Sequence, residues 1–132
     1  MFNDSKGCRI VGTTYTSKHR RFSLILVPPD GGIEFSVAFT EVAAYRFRDT
    51  NFGVITSICR APLRDLITQD WEQITVADQS GLWPGRLPTG PTEATEFASH
   101  LGLRGFSIVT ESGPAAWAIS KDFALLGRRR QS

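Results

Sequence analysis

The sequence predicts an α+β fold, a mostly antiparallel sheet of five to seven strands with two helices packed on one face. Three observations carry that expectation. The first half of the 132 residues alternates apolar and polar positions, at Pro62 the apolar spacing changes to three and four, and beyond residue 103 the alternation returns. Strands and helices are thus segregated along the chain instead of interleaved, which places helices against one side of an antiparallel sheet.

Residues 8–16 are rich in β-branched side chains, and residues 21–27 carry Phe22, Leu24, Ile25, Leu26 and Val27 before Pro28 and Pro29 end the run. The basic cluster Lys18, His19, Arg20 and Arg21 lies between these two strands and reads as a hairpin turn with charged tips. Pro28-Pro29-Asp30-Gly31-Gly32 is turn chemistry, since proline fixes φ and glycine accepts positive φ. The cleanest alternation follows: Ile33, Phe35, Val37 and Phe39 on one face, Glu34, Ser36 and Ala38 on the other. Residues 42–48 set Ala43, Tyr45 and Phe47 opposite Ala44, Arg46 and Arg48. After Asp49, Asn51 and Gly53, residues 54–60 make another strand. Short strands with turn-length gaps are most economically an antiparallel meander.

Leu63, Leu66, Ile67, Trp71 and Ile74 then make one apolar helical face. Pro62 suits a helix start, and Asp65 falls in the first turn, where the helix dipole favours a negative charge. Ala94, Phe97, Ala98 and Leu101 signal a second helix, with Thr92 as N-cap and Gly102 as stop. Residues 104–110 and 115–120 close the chain as a hairpin about Glu111-Ser112-Gly113-Pro114. The expected organisation is one globular domain over 1–127 with a basic tail at 128–132.

Composition excludes several classes. An apolar fraction of 41% is too high for a disordered chain, and two cysteines are too few for a disulfide scaffold. No run approaches the length of a membrane span, and residues 1–6 are polar, so a cytoplasmic domain is expected. The net charge of +2 is uneven. Residues 1–60 sum to +3, residues 61–101 to −4 and residues 102–132 to +3. Three of the last five cations are Arg128, Arg129 and Arg130, so the positive balance belongs to the tail and nucleic acid is not the expected partner.

The chemical inventory is thin. There is no phosphate loop, nucleophile elbow or metalloprotease motif, and neither His19 nor His100 sits in a supporting pattern. His100 falls near a helix C-terminus, where an imidazolium interacts favourably with the last carbonyls. Of the paired acids, Asp70 with Glu72 and Glu93 with Glu96, only the second pair shares a helix face, as an exposed flank does. Cys8 and Cys59 have no partner at metal-ligand spacing and read as small buried hydrophobes. No catalytic residue, metal or cofactor is expected.

The informative segment is residues 81–91, where six of eleven residues are Gly or Pro yet Leu82, Trp83, Arg86 and Leu87 are present. Trp and Arg are the residue types most enriched at binding hot spots, and irregular loops commonly carry recognition. Trp83, Arg86 and Leu87, with the neighbouring acids Asp70, Glu72 and Asp78, form the candidate partner-binding set. Two readings of Trp83 stay open, an interface residue or an anchor folded onto the core. The alternative function is a nucleic-acid or small anionic-ligand module built on Arg20, Arg21, Arg46, Arg48 and the terminal arginines.

Two stretches carry a family resemblance: Val42-Ala-Ala-Tyr45-Arg-Phe47, and His100-Leu-Gly-Leu-Arg-Gly-Phe106-Ser-Ile108-Val-Thr110 followed by Gly113 and Trp117-Ala-Ile119. This pattern, over roughly half of the chain, resembles small bacterial domains among the immunity proteins of contact-dependent or secreted toxin systems. The resemblance implies a non-catalytic protein that binds and blocks a cognate toxin.

Overall fold

A computed structural model describes residues 6–47, 53–86, 88–111 and 113–128. The described chain holds eight strands and three helices: β1 (Arg9–Thr16), β2 (Arg21–Val27), β3 (Phe35–Thr40), β4 (Ala44–Phe47), β5 (Ile55–Ala61), α1 (Leu63–Gln69), α2 (Trp71–Gln79), α3 (Pro91–His100), β6 (Arg104–Thr110), β7 (Gly113–Ser120) and β8 (Asp122–Arg128). The α+β class holds, with the strands divided between two four-stranded antiparallel sheets, ordered β1-β2-β3-β8 and β4-β7-β6-β5.

Alternation explains the layering. Phe22, Leu24 and Leu26 of β2 and Phe35, Val37 and Phe39 of β3 point to one side, where they meet Ile58, Phe106, Ile108 and Ala118 of the second sheet in one core. The odd positions of β7, Trp117 and Ile119, point the other way, onto the helices. There Ile67, Ile74, Ala77, Ala94 and Ala98 form a second core. The molecule is therefore three layers, sheet on sheet on helices, and only the second sheet is covered on both faces.

The two sheets cross. Arg9 at the start of β1 bridges to Val54 beside β5, while Tyr15 near its end stacks on Tyr45 of β4. β4 and β5 are opposite edges of the second sheet, about 14 Å apart at ordinary strand spacing, and six residues of β1 span about 20 Å. So β1 runs across the strands beneath it and ends over β4.

Helix ends follow local chemistry. Both α2 and α3 stop in a glycine turn: Gly81 N–H donates to the Asp78 carbonyl and Leu82 N–H to that of Ala77, while Gly102 donates to Ser99 and Leu103 to Ala98. Gly81 and Gly102 have φ of 83° and 80°, which only glycine adopts without strain. At the start of α3 the N-cap is Gly90, with Pro91 as first helical residue, so Thr92 is not the cap. Proline's missing N–H needs no partner at that position.

Two further differences from the sequence expectation have physical causes. The predicted long helix is broken at Asp70, whose φ of −126° and ψ of 43° are not helical. β8 was absent from the expected layout; it completes the first sheet by pairing with β3, Phe123 opposite Phe39 and Asp122 opposite Thr40. Arg128 is the last residue of β8, opposite Phe35, and residues 129–132 of the expected tail lie outside the described residues. α1 sits directly on β6 because Gly105 has no side chain. A Cβ there would lie 2.4 Å from the Ala61 carbonyl oxygen and 2.8 Å from Leu66 Cδ1.

Candidate functional site

The five described residues of the predicted site, Asp70, Glu72, Asp78, Trp83 and Arg86, do not converge on one surface. Trp83 is 3% exposed, and its ring packs 6.2 Å from that of Phe97 in the helical core. This corrects the interface reading for Trp83: the glycine turn after α2 directs the chain back over the helices, and the indole is the anchor. Its Nε1–H is buried without an acceptor among the described residues. Arg86 is exposed, and Leu87 lies outside the described residues.

Asp70 is engaged within the fold. Arg46 Nη1 donates to its Oδ1 at 2.8 Å and Oδ2 at 3.0 Å, and Trp117 Nε1 donates to Oδ2 at 2.9 Å. Glu72 is exposed in the first turn of α2, and Asp78 is half-buried near its end. Six residues apart on a helix of 3.6 residues per turn, they point about 120° away from each other. No acidic face results. The histidines are separate too: His19 is exposed in the turn after β1, and His100 is exposed at the last position of α3. Cys8 is buried and Cys59 half-buried. No cluster of three metal-ligating side chains occurs among the described residues.

A different set of residues does converge. A cleft of about 730 Å³ opens where the end of β1, strand β4 and the C-terminal turn of α2 meet. Tyr15, Tyr45 and Phe47 supply aromatic walls, Gln73, Val76 and Ala77 come from α2, Arg46 reaches it from β4 and Arg20 from the turn between β1 and β2. Its described lining holds two guanidinium groups and no carboxylate.

The aromatic walls are fixed from behind. Tyr45 stacks nearly parallel on Phe22, ring centres 4.4 Å apart, and on Tyr15 at 5.7 Å. Burial, and then the neighbouring Tyr15, raise the Tyr45 hydroxyl above its ordinary pKa of 10.0. α2 is tied to β4 by Gln73, whose Nε2 donates to the Tyr45 carbonyl at 3.2 Å. Val76, on the same helix, is 49% exposed beside this wall.

Arg20 is held differently from Arg46. His19 and Arg20 have φ of 65° and 48°, a left-handed pair that costs on the order of 1 kcal/mol per residue. Tertiary hydrogen bonds hold the strained turn: Glu41 N–H donates to the His19 carbonyl and Val42 N–H to that of Arg20. The side chain is pinned once, Nη1 to the Leu82 carbonyl at 3.2 Å. Among the described residues Arg20 makes no ion pair, because Asp70 takes Arg46 and Glu41 turns to Lys121 at 4.0 Å. Arg20 also borders two smaller depressions, so three concave areas meet at one cation.

The sequence reading centred on residues 81–91 and did not single out this cleft. Arg20 and Arg46 entered it only as members of basic clusters, and Tyr15, Gln73 and Val76 not at all. No helix of the described chain is long and apolar enough to cross a membrane. Comparison with protein-family models, with curated proteins and with solved structures finds no match to this chain.

Proposed function

We propose that this chain is a non-catalytic protein-binding domain whose partner docks in the cleft between β1, β4 and α2. The specific form of the proposal is the one the sequence resemblance implies, an immunity protein that binds and neutralises a cognate toxin. One observation supports it above the others: a rigid aromatic stack beside a pre-positioned arginine that has no carboxylate of its own. Tyr and Arg combine large contact area with directional bonding, and rigid groups lose little entropy when a partner lands on them. The arginine-cluster alternative has less support. Arg46 is paired with Asp70 and Arg21 Nε is buried; Arg48, Arg129 and Arg130 lie outside the described residues and bear on neither reading.

The test is a photo-crosslinking residue placed at Val76 in the cleft or, as control, at exposed Ile33 beyond the far end of β2. The expected result is one dominant protein adduct from position 76 in the cells that express this chain, and none from position 33. If the captured protein arrests growth when expressed alone and is harmless beside this chain, the immunity form stands. Identical adduct patterns from both positions would remove the cleft from consideration.

A further inference from the structure

Resting on the docking reading above, we infer that the segment entering the cleft is acidic, with a carboxylate on Arg20 and an adjacent aromatic or aliphatic side chain against Tyr15 and Tyr45. The argument is charge complementarity: the cleft's described lining contains Arg20, Arg46 and no acid. Arg46 is balanced by Asp70 at 2.8 Å, so the unbalanced charge is that of Arg20. Among the described residues only one of its N–H groups is engaged, on the Leu82 carbonyl, which leaves donors of the planar fork for a carboxylate.

The C-terminus of α2 lies beside this site, and a helix C-terminus favours cations. Its effect is small here, because the carbonyls of Val76, Ala77 and Asp78 already accept from Ser80, Leu82 and Gly81. The strained backbone holds the guanidinium at the cleft before any partner arrives, and such strain persists only where the surroundings over-determine it. A nucleic acid fits less well. A single unbalanced cation among the described lining residues neutralises few phosphates.

The experiment selects short random peptides on the immobilised chain and measures the winners by calorimetry against wild type, Arg20→Glu, Arg20→Lys and Tyr15→Ala. Recovered peptides should carry Asp or Glu next to an aromatic or leucine. Arg20→Glu should weaken them at least about tenfold, and Arg20→Lys less, because the ammonium keeps the charge and loses the fork. Arg20 is exposed, so the Arg20 variants should melt with the wild type, which separates lost binding from lost fold, whereas Tyr15→Ala also loses the stack on Tyr45 and should melt somewhat lower. Basic or charge-indifferent peptides, no recovered peptides, or equal affinity for Arg20→Glu would overturn the inference. So would a short oligo(dT) that binds wild type and not Arg20→Glu while peptides do not. The crosslink at Val76 distinguishes the two levels: its persistence in the Arg20→Glu background overturns the acidic partner alone, whereas its absence from wild type removes the docking reading itself.

Discussion

Trp83 combines two opposed contributions on one side chain. Its ring fills the helical core, while its Nε1–H is buried with no acceptor among the described residues, a desolvation cost of about 1–3 kcal/mol. Trp83→Phe keeps most of the ring and removes the orphan donor, so stability should be unchanged or higher by about 1 kcal/mol. Trp83→Ala should cost about 3–5 kcal/mol through the cavity it leaves. Urea unfolding of the two variants checks both, and a large loss in Trp83→Phe would mean that the indole N–H has a partner. Tyr45 gives a second residue-level test. Its folded pKa lies above the unfolded value, so the fold favours the neutral phenol. That preference is fully present below the unfolded pKa and is lost as pH rises through the folded one. Wild type should therefore lose more stability than Tyr45→Phe when the pH is raised above 10, and parallel pH profiles would contradict the assignment. At this scale the sequence was ambiguous for a physical reason: a core anchor and a binding hot spot use the same indole, and a Gly- and Pro-rich loop gives no periodicity to tell which way it faces.

At the scale of elements, Asp70 shows why spacing alone could not place the helix break. The apolar positions Leu63, Leu66, Ile67, Trp71 and Ile74 stay in phase across it, because both short helices bury the same side. The break is set by the carboxylate, which links the helical layer to β4 through Arg46 and to β7 through Trp117. Asp70→Ala would leave the guanidinium and the indole N–H without their acceptor, and should cost about 2–3 kcal/mol. Asp70→Asn keeps one acceptor oxygen and loses the charge, so about 1 kcal/mol is expected. Chemical denaturation measures both, and equal losses would show that the geometry, not the charge, carries the link. The strand edges are blunted in the same local way. β1, β5 and β8 carry register shifts, and Gln73 takes the Tyr45 carbonyl of β4. Irregular edges disfavour strand-to-strand association. Alternation made the first-half strands and the β6–β7 hairpin legible, and helical spacing did the same for α3. β8 was not legible: Asp-Phe-Ala-Leu-Leu-Gly-Arg lacks clean alternation, and its strand depends on β3 to pair with.

At the scale of the molecule, the cleft could not have been read from sequence, because Tyr15, Arg20, Tyr45 and Gln73 are brought together only by the crossing of the two sheets. That crossing is closed by the last strand. The chain builds β1, β2 and β3, passes through the second sheet and the helices, and returns as β8 to pair with β3. Phe123 enters between the sheets, its ring 4.9 Å from Phe39 and 5.9 Å from Phe106. Removing residues 122–132 would expose Phe39, which is now 0% exposed, and would leave β3 as an unpaired edge. A domain of this size is held by about 5–15 kcal/mol in total, and a half-buried phenylalanine alone accounts for about 2–3 kcal/mol of it. The lost strand pairing adds to that, so the shortened chain should lack a cooperative melt and a near-ultraviolet dichroism signal, whereas Phe123→Ala in the full chain should melt cooperatively at lower temperature. If the shortened chain melts cooperatively, the sandwich closes without β8 and the long-range pairing with β3 is not what holds the two sheets across each other. Because that pairing joins distant parts of the chain, it should also form late: Phe123→Ala should speed unfolding more than it slows refolding in a chevron measurement.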